Sequence, residues 1–421
     1  MTKFKSIFCS ERNLILILSI SFLFLSSSVS AEKDSTARSM SWQIRGDYGM
    51  VFSTNDLVKG GHYNPDPANQ GWTYNPDDEI RNYSSLGIQY QWGLKKDDWR
   101  HAAYRNPYFG VGFHVGNFND ERLGNPFSLY FLYGSEFFRF TKWLSWNGEL
   151  NLGYSSNWNH YDRFTNQDNV AIGGSNNIHV CLATYLRFLL SDHWDLRLGA
   201  NFTHYSNGAL KMPNRGMNML DPFLSLGYRI NEDRDTPRPS FKSTRRPYRL
   251  DHDFILTTSC RQVYFNMENT NLKTQYVDYL FHVYAFSYAP MFTRSYKYKF
   301  GPSLDFKYDE SIGARADYVY NEYDEHYYNR VWLGEKKDRF SMGISLKGEV
   351  TMPYFAVFAN VGYEFWHKDE RIPRVYEQIG VKIQPYGNFF GMMGVRAVYF
   401  TKAQYITWSV GYTLKGKEKK E

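Results

Sequence analysis

The feature that most constrains the fold is a long series of segments in which apolar and polar residues alternate, each bounded by turn residues. Most of these segments run for about ten residues or more, the length that a tilted strand needs to cross a bilayer. Strands of soluble sheets are usually shorter, at about five or six residues. The series predicts membrane-spanning strands near Trp42–Phe52, Ile80–Leu94, Tyr108–Asn117, Phe127–Phe140, Leu144–Trp158, Asn177–Leu190, Trp194–His204, Asn218–Ile230, Phe254–Phe265, Tyr276–Ala289, Tyr296–Lys307, Phe340–Met352, Tyr354–Trp366, Val375–Gln384, Phe389–Thr401 and Tyr405–Leu414.

The composition favours a membrane β-barrel over a secreted β-sandwich, which is the competing interpretation. Aromatic residues make up 19 % of the chain, including 35 Tyr and 11 Trp, yet the mean hydropathy is only -0.55. This combination fits a transmembrane barrel, because only alternate residues face lipid and aromatic girdles mark both interfaces. The net charge of +6 is compatible with an anionic lipid headgroup, but a modest positive charge alone indicates only a solvated surface.

The N-terminus has the layout of a secretory signal peptide. Lys3, Lys5 and Arg12 precede the apolar run Leu14–Leu25, and small residues follow up to Ala31. An apolar run of about a dozen residues is short for a membrane-spanning helix. We therefore expect residues 1–31 to direct export and to be removed after Ala31.

The predicted strands must close into a barrel, because a sheet embedded in lipid cannot leave an open edge. A single antiparallel barrel of about 14–16 strands is the first interpretation. Two tandem barrels of about eight strands are the alternative, since eight is the smallest usual number. Residues 32–230 would form the first half, 231–250 a polar, Pro- and Arg-rich turn or linker, and 251–421 the second half.

A possible nucleophile, a possible base and a dense turn signal coincide at residues 204–218. His204 and Ser206 are two residues apart, and alternate residues of a strand share a face. Both continue the apolar parity of their strand, which must face lipid, and Asn218 has the matching parity in the next strand. Tight turns alternate with long, Gly- and Asn-rich connections, and this rhythm assigns residues 204–218 to the outer rim. The sequence thus predicts that the three side chains lie on the barrel exterior.

An imidazole beside a hydroxyl is the arrangement of a serine hydrolase. His204 would take the Ser206 proton as the oxygen attacks an ester carbonyl, and would then return it to the leaving alcohol. Asn218 would orient the imidazole as a hydrogen-bond acceptor. It lacks the charge that stabilises an imidazolium, so we expect weaker activation than a carboxylate gives. The Asn207 side chain, or a nearby backbone N–H, is a candidate donor to the oxyanion.

The same stretch resembles a known family. Its residues His204-Tyr205-Ser206-Asn207, Leu210-Lys211, Pro213-Asn214 and Gly216 are similar to the active-site signature of the lipid A 3-O-deacylase (PagL) and acyloxyacyl-hydrolase-like outer-membrane family. The resemblance implies an eight-stranded barrel with a serine-hydrolase site on its lipid-facing exterior. It also implies that His204 is the base and Ser206 the nucleophile, with Asn207, Asn214 and Gly216 as oxyanion or substrate residues.

Two departures qualify this resemblance. The deacylases of the family carry an acidic residue where Asn218 stands, and Asp221, the nearest acid, has inward parity unless Pro222 causes a bulge. The chain is also about twice as long as the compact members of the family, and only residues 42–230 carry the supporting likeness.

We therefore predict a bacterial outer-membrane enzyme that removes an ester-linked acyl chain from lipid A. A barrel without catalysis, or a phospholipase-type esterase, are the alternatives. The expected partners are the membrane and the lipid A of outer-leaflet lipopolysaccharide, not nucleic acid, and self-association is left open. We expect no metal or organic cofactor, because a Ser-His mechanism requires none and the sequence has no zinc spacing or dinucleotide fingerprint.

Overall fold

The computed structural model describes residues 38–64, 69, 71–230, 248–265, 275–321, 326–368 and 373–417. The expected signal peptide at residues 1–31 and most of the expected linker at 231–250 lie outside these residues. In the part of the chain described, no helix has the length and apolar character needed to cross a membrane. The chain forms two compact units, one built around each of two closed β-barrels.

The first barrel consists of eight long antiparallel strands, closed in the order β1-β10-β9-β8-β7-β6-β5-β4. One short hairpin and one short helix lie in its connections. The elements are β1 (Met40–Val51), β2 (Gly61–Asn64), β3 (Gly71–Tyr74), β4 (Asn82–Gly93), α1 (Trp99–Ala103), β5 (Tyr108–Asn117), β6 (Phe127–Arg139), β7 (Leu144–Ser156), β8 (Asn177–Leu189), β9 (Trp194–Ser206) and β10 (Met217–Arg229).

The second barrel also consists of eight long antiparallel strands, closed in the order β11-β14-β15-β18-β19-β20-β21-β22. Two short hairpins, β12–β13 and β16–β17, lie in its connections. The elements are β11 (Arg249–Arg261), β12 (Tyr264–Phe265), β13 (Gln275–Tyr276), β14 (Phe281–Thr293), β15 (Tyr298–Asp309), β16 (Arg315–Asn321), β17 (His326–Trp332), β18 (Phe340–Thr351), β19 (Phe355–Trp366), β20 (Val375–Tyr386), β21 (Phe389–Val398) and β22 (Lys402–Leu414).

The prediction of an all-β, antiparallel transmembrane barrel is confirmed, in its tandem form. The single barrel of 14–16 strands is wrong. β1 pairs with both β4 and β10, so the first sheet closes on itself, and β11 pairs in the same way with β14 and β22. Closure after eight strands leaves no open edge in the lipid. The alternation of residues could not reveal this, because it is the same whichever strand closes the sheet.

Side chains alternate between a polar interior and an apolar exterior. Along β10, inward residues are buried while Leu220, Leu224 and Leu226 are exposed on the outer wall. The interior of the first barrel holds paired charges, such as Arg45 with Asp47 at 2.7 Å. Buried charges are tolerated when each is paired and hydrogen-bonded. The interior of a barrel of this size is therefore a packed polar core.

The long-loop end of the first barrel is filled by an apolar cluster, which we call the plug. It joins strand residues to residues from several loops: Val51, Leu57, Val58, Ile80, Tyr83, Phe118, Leu123, Trp158, Val170, Ala171, Ile172, Tyr205, Met217 and Met219. At the opposite end, the connection between β4 and β5 contains α1, which Asp98 caps by accepting from the Arg100 backbone N–H. This helix explains why that connection is longer than an ordinary short turn.

Candidate active site

The register of β9 and β10 brings the predicted site residues together. β9 ends at Ser206 and β10 begins at Met217, and His204 lies directly opposite Asn218. Thr203 and Tyr205 are buried inside the barrel, so His204 and Ser206 project outward from the wall. The structure therefore places the imidazole, the hydroxyl and the carboxamide on one lipid-facing surface at the long-loop end.

The three side chains form one continuous hydrogen-bond chain. Nε2 of His204 lies 3.0 Å from Oγ of Ser206, and Nδ1 lies 2.7 Å from Oδ1 of Asn218. Because an amide oxygen only accepts, Nδ1 must carry the ring proton. Nε2 of the neutral ring is then an acceptor, and the Ser206 hydroxyl donates to it. This polarity is the one that a general base needs to remove the hydroxyl proton.

The plug holds this part of the wall from behind. Tyr205, between the imidazole and the hydroxyl, is fully buried, as is Met217 next to Asn218. The Tyr205 hydroxyl lies 2.8 Å from Nε2 of His114 in the barrel interior. Turning either strand to move the site inward would expel these apolar side chains from the plug. Packing therefore fixes the outward direction of the site.

The turn after the nucleophile has an unusual backbone. Gly208 and Ala209 have positive φ angles of 59° and 63°, so the chain reverses sharply after Asn207. The Asn207 backbone N–H donates to Oδ1 of Asn214 at 3.0 Å. Within the described residues, the Asn214 NH2 group has no hydrogen-bond partner. Asn214 thus shapes the turn with its oxygen, and its NH2 group is not engaged by the turn.

Gly216 supports the imidazole through its backbone. Its φ is +74°, its N–H donates to the Ala171 carbonyl at 2.9 Å, and its carbonyl accepts from the Asn55 amide at 3.0 Å. A Cβ at this position would lie 2.9 Å from Cε1 of His204. The Gly216 N–H is therefore engaged within the fold, and the residue acts by letting the chain approach the ring closely.

Two residues of the site have no signature in the sequence. Thr54 accepts at 3.4 Å from the Asn218 NH2 group, and Asn55 is buried against Gly216. They follow β1 and are far from residues 204–218 in the chain. The only cue is that polar residues directly follow a predicted strand, which is too common to be diagnostic. Their role becomes visible once β1 pairs with β10.

The nearest acid does not join the site. Asp221 is 1 % exposed and faces the interior, where neither carboxylate oxygen has a hydrogen-bond partner. The pairing of β10 with β9 continues without a shift through Pro222, so no bulge redirects Asp221 outward. Asn218 is therefore the side chain that contacts Nδ1 of His204. The described residues contain no group of three or more His, Cys, Asp or Glu side chains suited to a metal ion.

Ion pairs connect the loops above the site. His62 lies 2.9 Å from Asp78 in the same connection, between β1 and β4, and 3.0 Å from Asp168 in the connection between β7 and β8. The hydrogen bond to Asp78, followed by that to Asp168, raises the pKa of His62 above its usual range. Arg215 pairs with Asp56 at 2.6 Å.

An apolar surface borders the site on the lipid side. Phe202 and Leu220 lie opposite each other on β9 and β10, two register positions from His204 and Asn218, and both are exposed. Phe52 packs beside Phe202 with ring centroids 6.3 Å apart. A hydrocarbon chain lying along this wall would pass directly beside the Ser206–His204 pair.

Two family models match the chain. Residues 68–229 match the family model described as lipid A 3-O-deacylase (PagL), and residues 251–416 match the model described as acyloxyacyl hydrolase, C-terminal domain. No curated protein matches the chain.

Among solved structures, the outer membrane enzyme PagL shares 16 % identity, with a TM-score of 0.27, over 44 % of this chain and 97 % of that chain. The siderophore receptor PirA from Pseudomonas aeruginosa shares 8 %, with a TM-score of 0.22, over 90 % and 81 % of the two chains. The two family models lie side by side and together cover most of the chain, one on each barrel. The chain belongs to the PagL lipid A 3-O-deacylase and acyloxyacyl hydrolase family.

Proposed function

We infer that the protein is an outer-membrane ester hydrolase that removes an acyl chain from lipid A, and that the first barrel performs the reaction. Both matched family models carry names of enzymes that cleave acyl esters. The observation that carries the proposal is the outward-facing chain Ser206–His204–Asn218 on the lipid-facing wall. A soluble substrate or a pore would call for groups in the lumen, whereas lipid A presents its esters at the outer boundary of the membrane.

The proposed reaction has two halves. Oγ of Ser206 attacks the ester carbonyl while its proton moves to Nε2 of His204, and Asn218 accepts from Nδ1–H throughout. The tetrahedral intermediate expels the alkoxide of the sugar, which takes the proton from Nε2 and leaves an acyl-Ser206 ester. Water then loses a proton to Nε2 and attacks this ester, which releases the fatty acid and restores the Ser206 hydroxyl.

The oxyanion requires hydrogen-bond donors next to Ser206. We propose that the Asn214 NH2 group supplies one, with the Asn207 side chain and the turn at residues 208–209 around it. The support is that the Asn214 oxygen is held by the Asn207 N–H, which leaves the nitrogen directed away from that bond. Loss of one oxyanion donor typically lowers kcat by about 10²- to 10³-fold.

The two parts of the substrate would bind to different parts of the first barrel. The alkyl chain would lie on the apolar surface with Phe202 and Leu224, and the headgroup would lie among the loops at the end of the barrel. We further propose that residues 32–230 form the hydrolase domain, which residues 231–250 connect to a second barrel at 251–421. The neutral Asn218 is expected to make the base weaker than a carboxylate would.

The test compares Ser206→Ala with Ser84→Ala in cells that express the protein at equal levels. Ser84 is also an outward-parity serine of the first barrel, on β4, and is not part of the hydrogen-bond chain. Lipid A is extracted and its acyl chains are counted by mass spectrometry. We expect the lipid A of cells that express the wild type or Ser84→Ala to lose one ester-linked acyl chain. The lipid A of cells that express Ser206→Ala should retain that chain. Identical lipid A in all three strains would contradict the proposal and favour a barrel without catalysis, and altered phospholipids alone would favour a phospholipase.

A further inference from the structure

We propose that Thr54 is a positioning residue that fixes the orientation of the Asn218 carboxamide and, through it, the tautomer of His204. The inference rests on the proposed function, since it concerns the base of that reaction. It adds a residue from the connection after β1 to a chain of side chains that otherwise comes from β9 and β10.

The orientation of Asn218 decides whether His204 is a base. A carboxamide presents an acceptor oxygen at one end and a donor NH2 at the other. With the oxygen toward His204, Nδ1 carries the proton and Nε2 accepts from Ser206. A flip by 180° would present the NH2 group to Nδ1, which would then have to accept, so the ring proton would move to Nε2. Nε2–H cannot remove the Ser206 proton, and the flipped state is unreactive.

The environment of Thr54 selects one orientation. Its hydroxyl lies 3.4 Å from the Asn218 nitrogen and 3.4 Å from the Phe52 carbonyl oxygen. A hydroxyl has a single proton, and a carbonyl can only accept, so that proton is donated to Phe52. Thr54 therefore presents a lone pair to Asn218, and only the NH2 end of the carboxamide matches it.

The result is a chain of hydrogen bonds that all run in one direction. Ser206 donates to His204, His204 to Asn218, Asn218 to Thr54, and Thr54 to the Phe52 carbonyl. The three inner members, His204, Asn218 and Thr54, each donate one of these bonds and accept another, so reversing one bond reverses its neighbours. The fixed acceptor at the end, a backbone carbonyl, gives the whole chain its direction.

Backbone contacts hold Thr54 in place. The Phe52 N–H donates to the Asn218 carbonyl at 2.9 Å, and the Thr54 N–H donates to the Phe52 carbonyl at 2.7 Å. The next residue, Asn55, is buried and binds the Gly216 carbonyl through its side chain. The segment 52–55 is thus attached on both sides of Thr54 to the segment 216–218, and the distance between Thr54 and Asn218 is set by the fold.

The need for Thr54 follows from the neutral Asn218. A carboxylate offers acceptors at both oxygens, so an acid at position 218 has no wrong orientation to exclude. A carboxamide does have a wrong orientation, and a neighbouring group must exclude that orientation. The dependence on Thr54 should consequently disappear when Asn218 is replaced by Asp.

The experiment uses the full-length protein in detergent with purified lipopolysaccharide. Thr54→Val removes the hydroxyl at nearly constant shape, Thr54→Ser restores it, and both are combined with Asn218→Asp. Thr73→Val, in the same connection between β1 and β4, is the matched control that should leave activity unchanged. We expect Thr54→Val to lower kcat by roughly fivefold, the effect of one ordinary hydrogen bond, with KM constant. Thr54→Ser should recover the rate, and in the Asn218→Asp background Thr54→Val should change the rate less than about twofold.

Nitrogen-15 NMR of histidine-labelled protein provides a readout apart from activity. The His204 signals, identified by their loss in His204→Gln, should report the Nδ1–H tautomer in the wild type and a mixture in Thr54→Val. Equal rates and equal tautomers in Thr54→Val and Thr54→Ser would overturn the inference. The proposed function would still stand in that case if Ser206→Ala were inactive. If the wild type left lipid A uncut, the proposed function would fail, and the tautomer measurement would still decide the role of Thr54.

Discussion

Each barrel carries an outward-parity histidine within hydrogen-bond distance of a hydroxyl, but only one of the two pairs is built like an active site. In the first barrel, His204 lies between Ser206 and Asn218. In the second, Nδ1 of His252 lies 2.8 Å from the hydroxyl of Tyr288, and the rings stack at an interplanar angle of 10°. Proximity of imidazole and hydroxyl therefore does not by itself indicate catalysis.

The two pairs differ in their position along the strands. His252 lies near the start of β11, beside the end of β14, which joins β15 through a short turn. Ser206 ends β9 at the long-loop end of its own barrel. Outer-membrane barrels have short periplasmic turns and longer outer loops. The stacked pair thus matches an aromatic girdle, whereas Ser206, His204 and Asn218 lie at the long-loop end, where the proposed substrate would bind.

The two pairs also differ in what supports them. Among the described residues, Tyr288 is the only side chain that hydrogen-bonds His252. His204 is held by Asn218 on one side and approached closely by Gly216 on the other, with the plug behind. In the second barrel, the described apolar cluster consists of Ile255, Phe358, Phe390 and Met392. A reactive site, unlike a girdle, requires loops that are packed rigidly onto the end of the barrel.

The largest expected effect comes from removing each imidazole. His204→Gln should lower the rate of lipid A deacylation by roughly 10²- to 10⁴-fold, because the general base is lost. His252→Gln makes the same change on the second barrel and should leave the rate unaltered. Mass spectrometry of lipid A and the gel mobility of the unheated, folded protein measure activity and folding separately. Equal losses in the two variants would show that the histidines act through the fold.

A smaller loss of deacylation rate is expected from adding a methyl group at Gly216. Gly216→Ala would bring Cβ within 2.9 Å of the His204 ring, and a displaced base typically costs about 10- to 100-fold in rate. Gly387 in the second barrel also has a positive φ, of 56°, but a Cβ added there would meet no atom of the described residues within 4 Å, so Gly387→Ala is the control. Both variants carry a backbone strain of about 1 kcal/mol, measurable by thermal unfolding. Only Gly216→Ala should lose activity, and an active Gly216→Ala enzyme would mean that the ring tolerates displacement.

The apolar wall should have a weaker influence. Phe202 is 40 % exposed and Phe254, on the second barrel, is 39 % exposed, so their replacement by Ala removes similar lipid-facing surface. Lipid tails are as apolar as these side chains, so the substrate gains only packing contacts from Phe202. We expect Phe202→Ala to reduce kcat/KM by roughly two- to fivefold and Phe254→Ala to have no effect. Kinetics on lipopolysaccharide in detergent provide the measurement.

The smallest effect concerns pH and the loops of the first barrel. His62 has a raised pKa in the folded protein, chiefly through Asp78, so the ion pairs contribute fully below the unfolded pKa of about 6.5. Their contribution is lost as the pH rises through the raised value. As the pH rises through the raised pKa of His62, amide hydrogen exchange at residues 61–64 should become faster in the wild type. The increase should be smaller in His62→Gln, which lacks the titrating group. Exchange at β16–β17 of the second barrel serves as the comparison, and unaltered protection in the wild type would contradict the assignment.

The sequence revealed the strands because each has to satisfy the membrane locally. The prediction for Tyr108–Asn117 matches β5 at both ends, and that for Asn177–Leu190 differs from β8 by one residue. Lipid on one side and a polar interior on the other impose a period of two on every strand, and turn residues mark the ends. The identification of His204, Ser206 and Asn218 as a group followed from the same parity.

The tertiary structure decided where the sheet closes and what surrounds the imidazole. Strand alternation is identical in one large barrel and in two small ones, so only the pairing of β1 with both β4 and β10 distinguishes them. Thr54 and Asn55 reach the site because β1 lies next to β10, and Asp221 is kept away by the continuous register at Pro222. Local patterns record the solvent that each residue faces, whereas contacts between distant segments depend on register and closure, which no single segment encodes.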